Sequence, residues 1–203
     1  MPATLSKLDS QPPLRDGRRE RSRSSRTKII TAIMQLIEAG DPSPSAAQIA
    51  QSAGVGLRTV FRLFDDKDTL YREIATIIEA QVFPMIATPL KGDNWKEQLY
   101  AIAERRTVIF EMVMGYRISA GVRRFQSDYL MQSYHQMVGL ERMMVEAILP
   151  PHVIADKARA KSLHLVLSFQ SWRLLRQDEK LSVKKSHEVV VQMLNDILPH
   201  IAV

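Results

Sequence analysis

The chain has 203 residues, a net charge of +6 and no cysteine, with 45% hydrophobic and 25% charged residues. That composition suits a globular protein with a buried core, and the missing cysteines exclude disulfides, thiolate catalysis and cysteine-ligated zinc. No apolar run approaches the roughly 20 residues of a membrane-crossing helix, and no apolar stretch follows the N-terminal arginines as a secretion signal requires, so a cytoplasmic protein is expected.

The charge is unevenly spread. Residues 1–28 hold eight Lys or Arg against three Asp or Glu, and the remainder is nearly balanced. A basic arm on a near-neutral body suits contact with a polyanion. Residues 1–22, with Pro2, Pro12, Pro13 and Gly17, read as a disordered arm. From Arg23 a helical period begins, with Ile29, Ile30, Ile33, Leu36 and Ile37 at three- and four-residue steps and Gly40 placed to end it. "DPSPS" breaks the chain. Ser45 and Gln48 form a capping box that opens a second helix to about Ser52, and Gly54 supplies the turn into a third, Leu57 to Phe64. Asp65 or Asp66 caps a fourth, which carries Leu70, Ile74, Ile77 and Ile78 and ends before Pro84.

Longer elements follow. Asn94 and Glu97 cap a helix with Leu99, Ile102, Ile109, Phe110 and Val113, expected to stop near Gly115, with a shorter helix from Ile118 to Gln126. Ser127 opens another, which runs to Leu149 until Pro150 and Pro151 end it. Helices over 155–177 and 183–198 complete the chain. No stretch alternates with period two, so the expectation is an all-α protein of about nine helices.

The stretch "IAQSAGVGLRTVFRLF" carries the chemistry. Ile49, Ala50, Ala53, Val55, Val60 and Phe64 have the spacing of two short helices sharing a core with a third, which leaves Leu57, Arg58, Thr59, Phe61 and Arg62 outward. Arginine can bind guanine in bidentate fashion or clamp phosphate, and a threonine methyl can meet a thymine methyl. Arg62 can contact phosphate or pair with Asp65 or Asp66. Ile49-Ala50, Ala53-Gly54-Val55, Thr59, Phe61, Phe64, Lys67 and Leu70 resemble the helix-turn-helix of the TetR/AcrR family of transcriptional regulators, over about residues 25–80.

The resemblance implies a helix-turn-helix DNA-binding domain at 23–80 and a larger helical domain at 81–203 for effector binding and dimerisation. It also implies DNA contacts from Arg58, Thr59, Arg62, Lys67, Leu57, Phe61 and Ser45, with Arg23 and Arg26 at the arm. Three positions depart from the family pattern. Gly56 stands for the capping serine, Phe61 for tyrosine and Leu63 for histidine, so a cap and two phosphate contacts are forgone. The arginines at 18, 19, 21, 23 and 26 are expected to compensate from the minor groove.

The resemblance further implies a homodimer through the last two helices. Ala158, Leu163, Val166, Leu167, Phe169, Trp172, Leu175, Val183, Val190, Met193, Leu194, Ile197 and Leu198 look like more apolar surface than one chain can cover. His164 and His187 read as core or interface histidines. An effector pocket is expected from Tyr100, Phe110, Met114, Met131, Tyr134, Met137, Phe169 and Trp172, for an apolar or aromatic small molecule. Arg105, Arg106, Glu111, Arg117, Arg123, Arg124 and His135 are the polar groups available to orient it.

The function expected is a ligand-responsive dimeric regulator, a repressor released from a palindromic operator in double-stranded DNA. The alternative is a helical DNA-binding or architectural protein without effector control. The histidines show no metal-binding pair, and no nucleophile elbow or phosphate-binding loop is present, so neither an enzyme nor a metal or cofactor is expected.

Overall fold

A computed structural model describes residues 15–201, and among these every regular element is helical. Ten α-helices run in order: α1 Arg15–Glu38, α2 Ala46–Ala53, α3 Leu57–Leu63, α4 Lys67–Ala87, α5 Trp95–Arg123, α6 Asp128–Glu146, α7 Pro151–Ala155, α8 Lys157–Val166, α9 Phe169–Arg173 and α10 Val183–Ile197. None is long and apolar enough to cross a membrane.

Side-chain caps fix most helix starts, because a side-chain oxygen satisfies a main-chain N–H that has no partner within the helix. Ser45 accepts from the Gln48 N–H while Gln48 accepts from the Ser45 N–H. Asp66, Asn94, Ser127 and Ser182 cap α4, α5, α6 and α10 in the same manner. Gly54 ends α2 in the left-handed region at φ 62°, where a β-carbon would be strained.

Four expectations are corrected. Helix α1 starts at Arg15, so residues 15–22 are helical; Arg and Glu are strong helix formers, and Arg21 Nε donates to the Gly17 carbonyl at 3.0 Å. The arm before residue 15 lies outside the described residues. Helix α4 passes through Pro84 to Ala87. The proline sits in the last turn, where it removes one main-chain bond and lets Met85 and Ile86 reach the core. Helix α5 passes through Gly115 without stopping and absorbs the shorter helix expected at Ile118. Gly115 serves close approach instead, since a β-carbon there would lie 2.9 Å from Ile37 Cγ2 of α1. The helix expected over 155–177 breaks at Leu167–Ser168, where the hydroxyls of Ser168 and Ser171 both bond the Leu165 carbonyl and compete with the helical ladder.

Two buried clusters organise the chain. The first joins α1–α4 through Ile29, Ile33, Ile37, Ile49, Val60, Phe64, Tyr71 and Ile74, and also takes Tyr116 and Ala120 of α5 and Leu130 of α6. The second gathers α5, α8, α9 and α10 around Leu99, Phe110, Leu163, Trp172 and Leu194. Helix α5 is shared by both. Its Ser119 hydroxyl lies 2.6 Å from the buried Tyr71 hydroxyl of α4. Much of the apolar surface assigned to a partner is covered by the chain itself. Leu163, Val166, Leu167, Phe169, Trp172, Val190, Leu194 and Leu198 are buried, and Leu165, Leu174, Val183 and Met193 remain exposed. Ile77 is also exposed.

Candidate nucleic-acid interface

The short helix α3 is held on one side and free on the other. Val60 and the capping Phe64 are 5% exposed in the first cluster, and truncating an aromatic so placed costs about 3–5 kcal/mol. That is a large share of the 5–15 kcal/mol typical of a domain, so the inner face is scaffold. Outward stand Leu57, Arg58, Phe61 and Arg62, all exposed, with Thr59 half-buried. Arg58 and Arg62 make no ion pair among the described residues, so Arg62 pairs with neither Asp65 nor Asp66. Gly56 caps α3 with extended backbone and no side-chain bond, and the Thr59 N–H donates to the Gly56 carbonyl at 2.8 Å instead.

The flanking residues divide. Ser45 is exposed at the α2 start with its hydroxyl committed to Gln48. Lys67 opens α4 and is exposed; partial desolvation and the nearby Arg123 charge push its ammonium below the usual lysine value. Arg23 is exposed, with a loose 3.6 Å contact to Glu20. Arg26 is turned inward. Its Nε donates to Glu73 at 2.6 Å, Nη1 donates to the Leu63 carbonyl at 3.2 Å, and its guanidinium lies 4.6 Å over the Phe64 ring. It clamps α1 to α3 and α4, and its guanidinium is not free for phosphate.

Two cations beside this surface were missed as DNA-facing candidates. Arg123, at the end of α5, sits close enough to Lys67 to lower it and lies 5.8 Å from the Tyr71 ring centroid. Arg72 is exposed and stacks 3.7 Å over Tyr129. The 56-residue gap between Lys67 and Arg123 in the chain leaves no local signal for their proximity.

The expected effector residues do not converge as a set. Tyr134, Met137 and Phe169 line one small cavity with Arg117, Arg124 and Leu130; its volume is about 20 Å³, room for one water. Phe110 and Trp172 are packed in the second core, with Phe110 edge-on to Phe169 at 5.5 Å and Trp172 Nε1 donating to Glu111 at 2.7 Å. Met114 packs against that core and Met131 is half-buried away from the cavity. Tyr100 faces an open groove of about 370 Å³ with Glu97, Glu104 and His187, and its hydroxyl donates to Asn195 at 2.6 Å. Arg105 is spent on the carbonyls of Ile86, Thr88 and Pro89. Tyr100, Phe110 and Met114 lie along α5 and pack against the second core, whereas Met131 is on α6 and Trp172 on α9.

No family model matches the sequence, and no curated protein matches it. The chain is similar to a TetR transcriptional regulator from Rhodococcus sp. RHA1. The two share 12% identity, with 90% of this chain and 99% of that chain covered at a TM-score of 0.47.

Proposed function

We propose that this chain is a sequence-specific DNA-binding transcriptional regulator that works as a homodimer and changes its DNA affinity when a small molecule binds its C-terminal half. The observation that carries the reading is α3. A seven-residue helix, pinned by Val60 and Phe64, presents Leu57, Arg58, Thr59, Phe61 and Arg62 together, with neither arginine in an ion pair among the described residues. A rigid helix with Arg58 near its start and Arg62 in its last turn, neither in an ion pair among the described residues, suits the major groove, where bidentate arginine contacts distinguish bases. Lys67, with Arg123 and Arg72 nearby, offers phosphate contacts beside it, and Arg18, Arg19, Arg21 and Arg23 along exposed α1 extend the positive surface. The TetR-like order of Ile49, Ala50, Gly54, Thr59, Phe64, Lys67 and Leu70 supports the same reading.

Dimerisation follows from the DNA. A single helix of seven residues reads few base pairs, and two related by a two-fold axis read successive major grooves about 34–36 Å apart. Leu165, Leu174, Val183 and Met193 on the last helices are the exposed apolar residues available for that contact. In this account the protein is a cytoplasmic repressor released by its effector.

The test is a selection of bound fragments from random DNA with the purified full-length protein. A two-fold symmetric site surviving competitor DNA is expected. A footprint insensitive to sequence points to an architectural protein and overturns the reading.

A further inference from the structure

A second arrangement of charge lies inside the C-terminal half, between α5, α6 and α9. Arg106 and Arg117 are buried, at 7% and 9% exposure. Arg106 is spent on the main-chain carbonyls of Leu167 and Glu141. Arg117 stacks 4.0 Å over Phe169 and has one ion-pair partner among the described residues, the Glu141 carboxylate. Two interior cations therefore share one carboxylate, and Arg124 adds a third guanidinium at the wall of the small cavity that Arg117 lines. Burial, opposed by Glu141 and aided by the Arg117 charge, lowers Arg106 to about 10, so it stays protonated at neutral pH. Interior cations in excess of anions are costly, and one more anion between Arg117 and Arg124 reduces the excess.

From this cluster and cavity we infer that the site binds a small carboxylate with a flat apolar body, the carboxylate taking Arg117 from Glu141. The walls fit such a body, because Phe169 and Tyr134 offer rings and Met137 adapts to shape. Arg117 already meets a carboxylate in Glu141, which acts as the internal competitor. The space must open, and α6 is the wall able to yield: of its 19 residues only Leu130 and Val145, near its two ends, are buried. Tyr134, Met137 and Glu141 lie between those anchors. Arg117 also lies two residues from Ser119, which bonds Tyr71, so rearrangement at the cavity acts on the helix that supports α4. This extends the effector expectation from an apolar molecule to an acid.

The inference rests on the regulator reading only for what binding does to DNA, and the site is tested without DNA. Acetate, benzoate, phenylacetate, indole-3-acetate and octanoate, each with its neutral amide, are titrated into the full-length protein by calorimetry. At least one carboxylate should bind saturably, with its amide weaker by about tenfold or more. Arg117→Gln should lose the carboxylate by a similar factor, and Glu141→Gln should bind it more tightly. Arg124→Gln, at the half-buried rim, carries the test where Arg117→Gln does not fold, and should weaken the acid but not the amide. No binding by any acid, equal binding of acid and amide, or affinity unchanged in the arginine variants overturns the inference. Acid binding that leaves DNA affinity unchanged supports the site and counts against ligand control, so the two readings fail separately.

Discussion

Replacing Gly115 by alanine tests whether α1 and α5 touch as closely as described. The added β-carbon would lie 2.9 Å from Ile37 Cγ2, well inside ordinary carbon contact. Ile37 is 7% exposed and, being β-branched, is stiff about χ1, so its methyl has no easy retreat. Alanine in a helix interior gains about 1 kcal/mol over glycine, whereas overpacking a core costs about 1–3 kcal/mol. Gly115→Ala should therefore be between neutral and about 2 kcal/mol less stable than the parent. Gly139, in the middle of α6, is exposed and has nothing within 4 Å of its would-be β-carbon, so Gly139→Ala should keep the whole gain of about 1 kcal/mol. The difference between the two variants isolates the contact with Ile37. Urea unfolding at one fixed protein concentration measures it, since association would otherwise shift the midpoints. Equal stabilisation by both alanines would refute the close approach, and with it the reason given for a glycine within α5.

Three further outcomes are expected. Gly56→Ser adds a hydroxyl where the backbone already has cap geometry and the nearest atom, Thr59 Oγ1, is 3.9 Å away; it should raise the unfolding free energy by a few tenths of a kcal/mol, about 0.2–0.5, and a loss of stability in urea would show that α3 does not begin there. Tyr71→Phe strands the buried Ser119 hydroxyl and should cost about 1–3 kcal/mol, partly recovered by adding Ser119→Ala; strict additivity in that cycle would deny the bond. Burial raises the Glu111 carboxyl, but hydrogen bonds from Arg176 and Trp172 outweigh it and hold it below its usual 4.5. A depressed folded-state pKa contributes stability above the unfolded value that is lost as pH falls through the folded one. Acid titration should therefore show a loss setting in below about 4.5 that Glu111→Gln lacks, and identical acid profiles would contradict the assignment.

What the chain order reveals is local. The caps at Ser45, Asn94 and Ser127 and the left-handed Gly54 depend on neighbours three or four residues away, so their spacing alone announces them. The exposed face of α3 is legible for the same reason, because its inner residues are identified by period. Gly115 misleads, since its cause is Ile37, 78 residues earlier in the chain. Pro84 and the break at Ser168 misread in opposite directions. A proline in a last turn costs little, and two serines sharing one carbonyl interrupt a helix that periodicity would continue. Arg26 and Arg117 show the limit for sites. A guanidinium reaches far, and whether it meets phosphate, ligand or a carboxylate such as Glu73 or Glu141 is decided by elements distant in sequence.

The central claim is that α3 reads base pairs. Its most direct test is the affinity of Arg58→Ala, beside the parent protein, for the selected site and for each of its single base-pair variants. A lost base contact should remove the preference at one position per half-site, at a cost of about 1–3 kcal/mol on the preferred base alone. Uniform weakening across every variant would assign Arg58 to the phosphate backbone and contradict base readout by this helix.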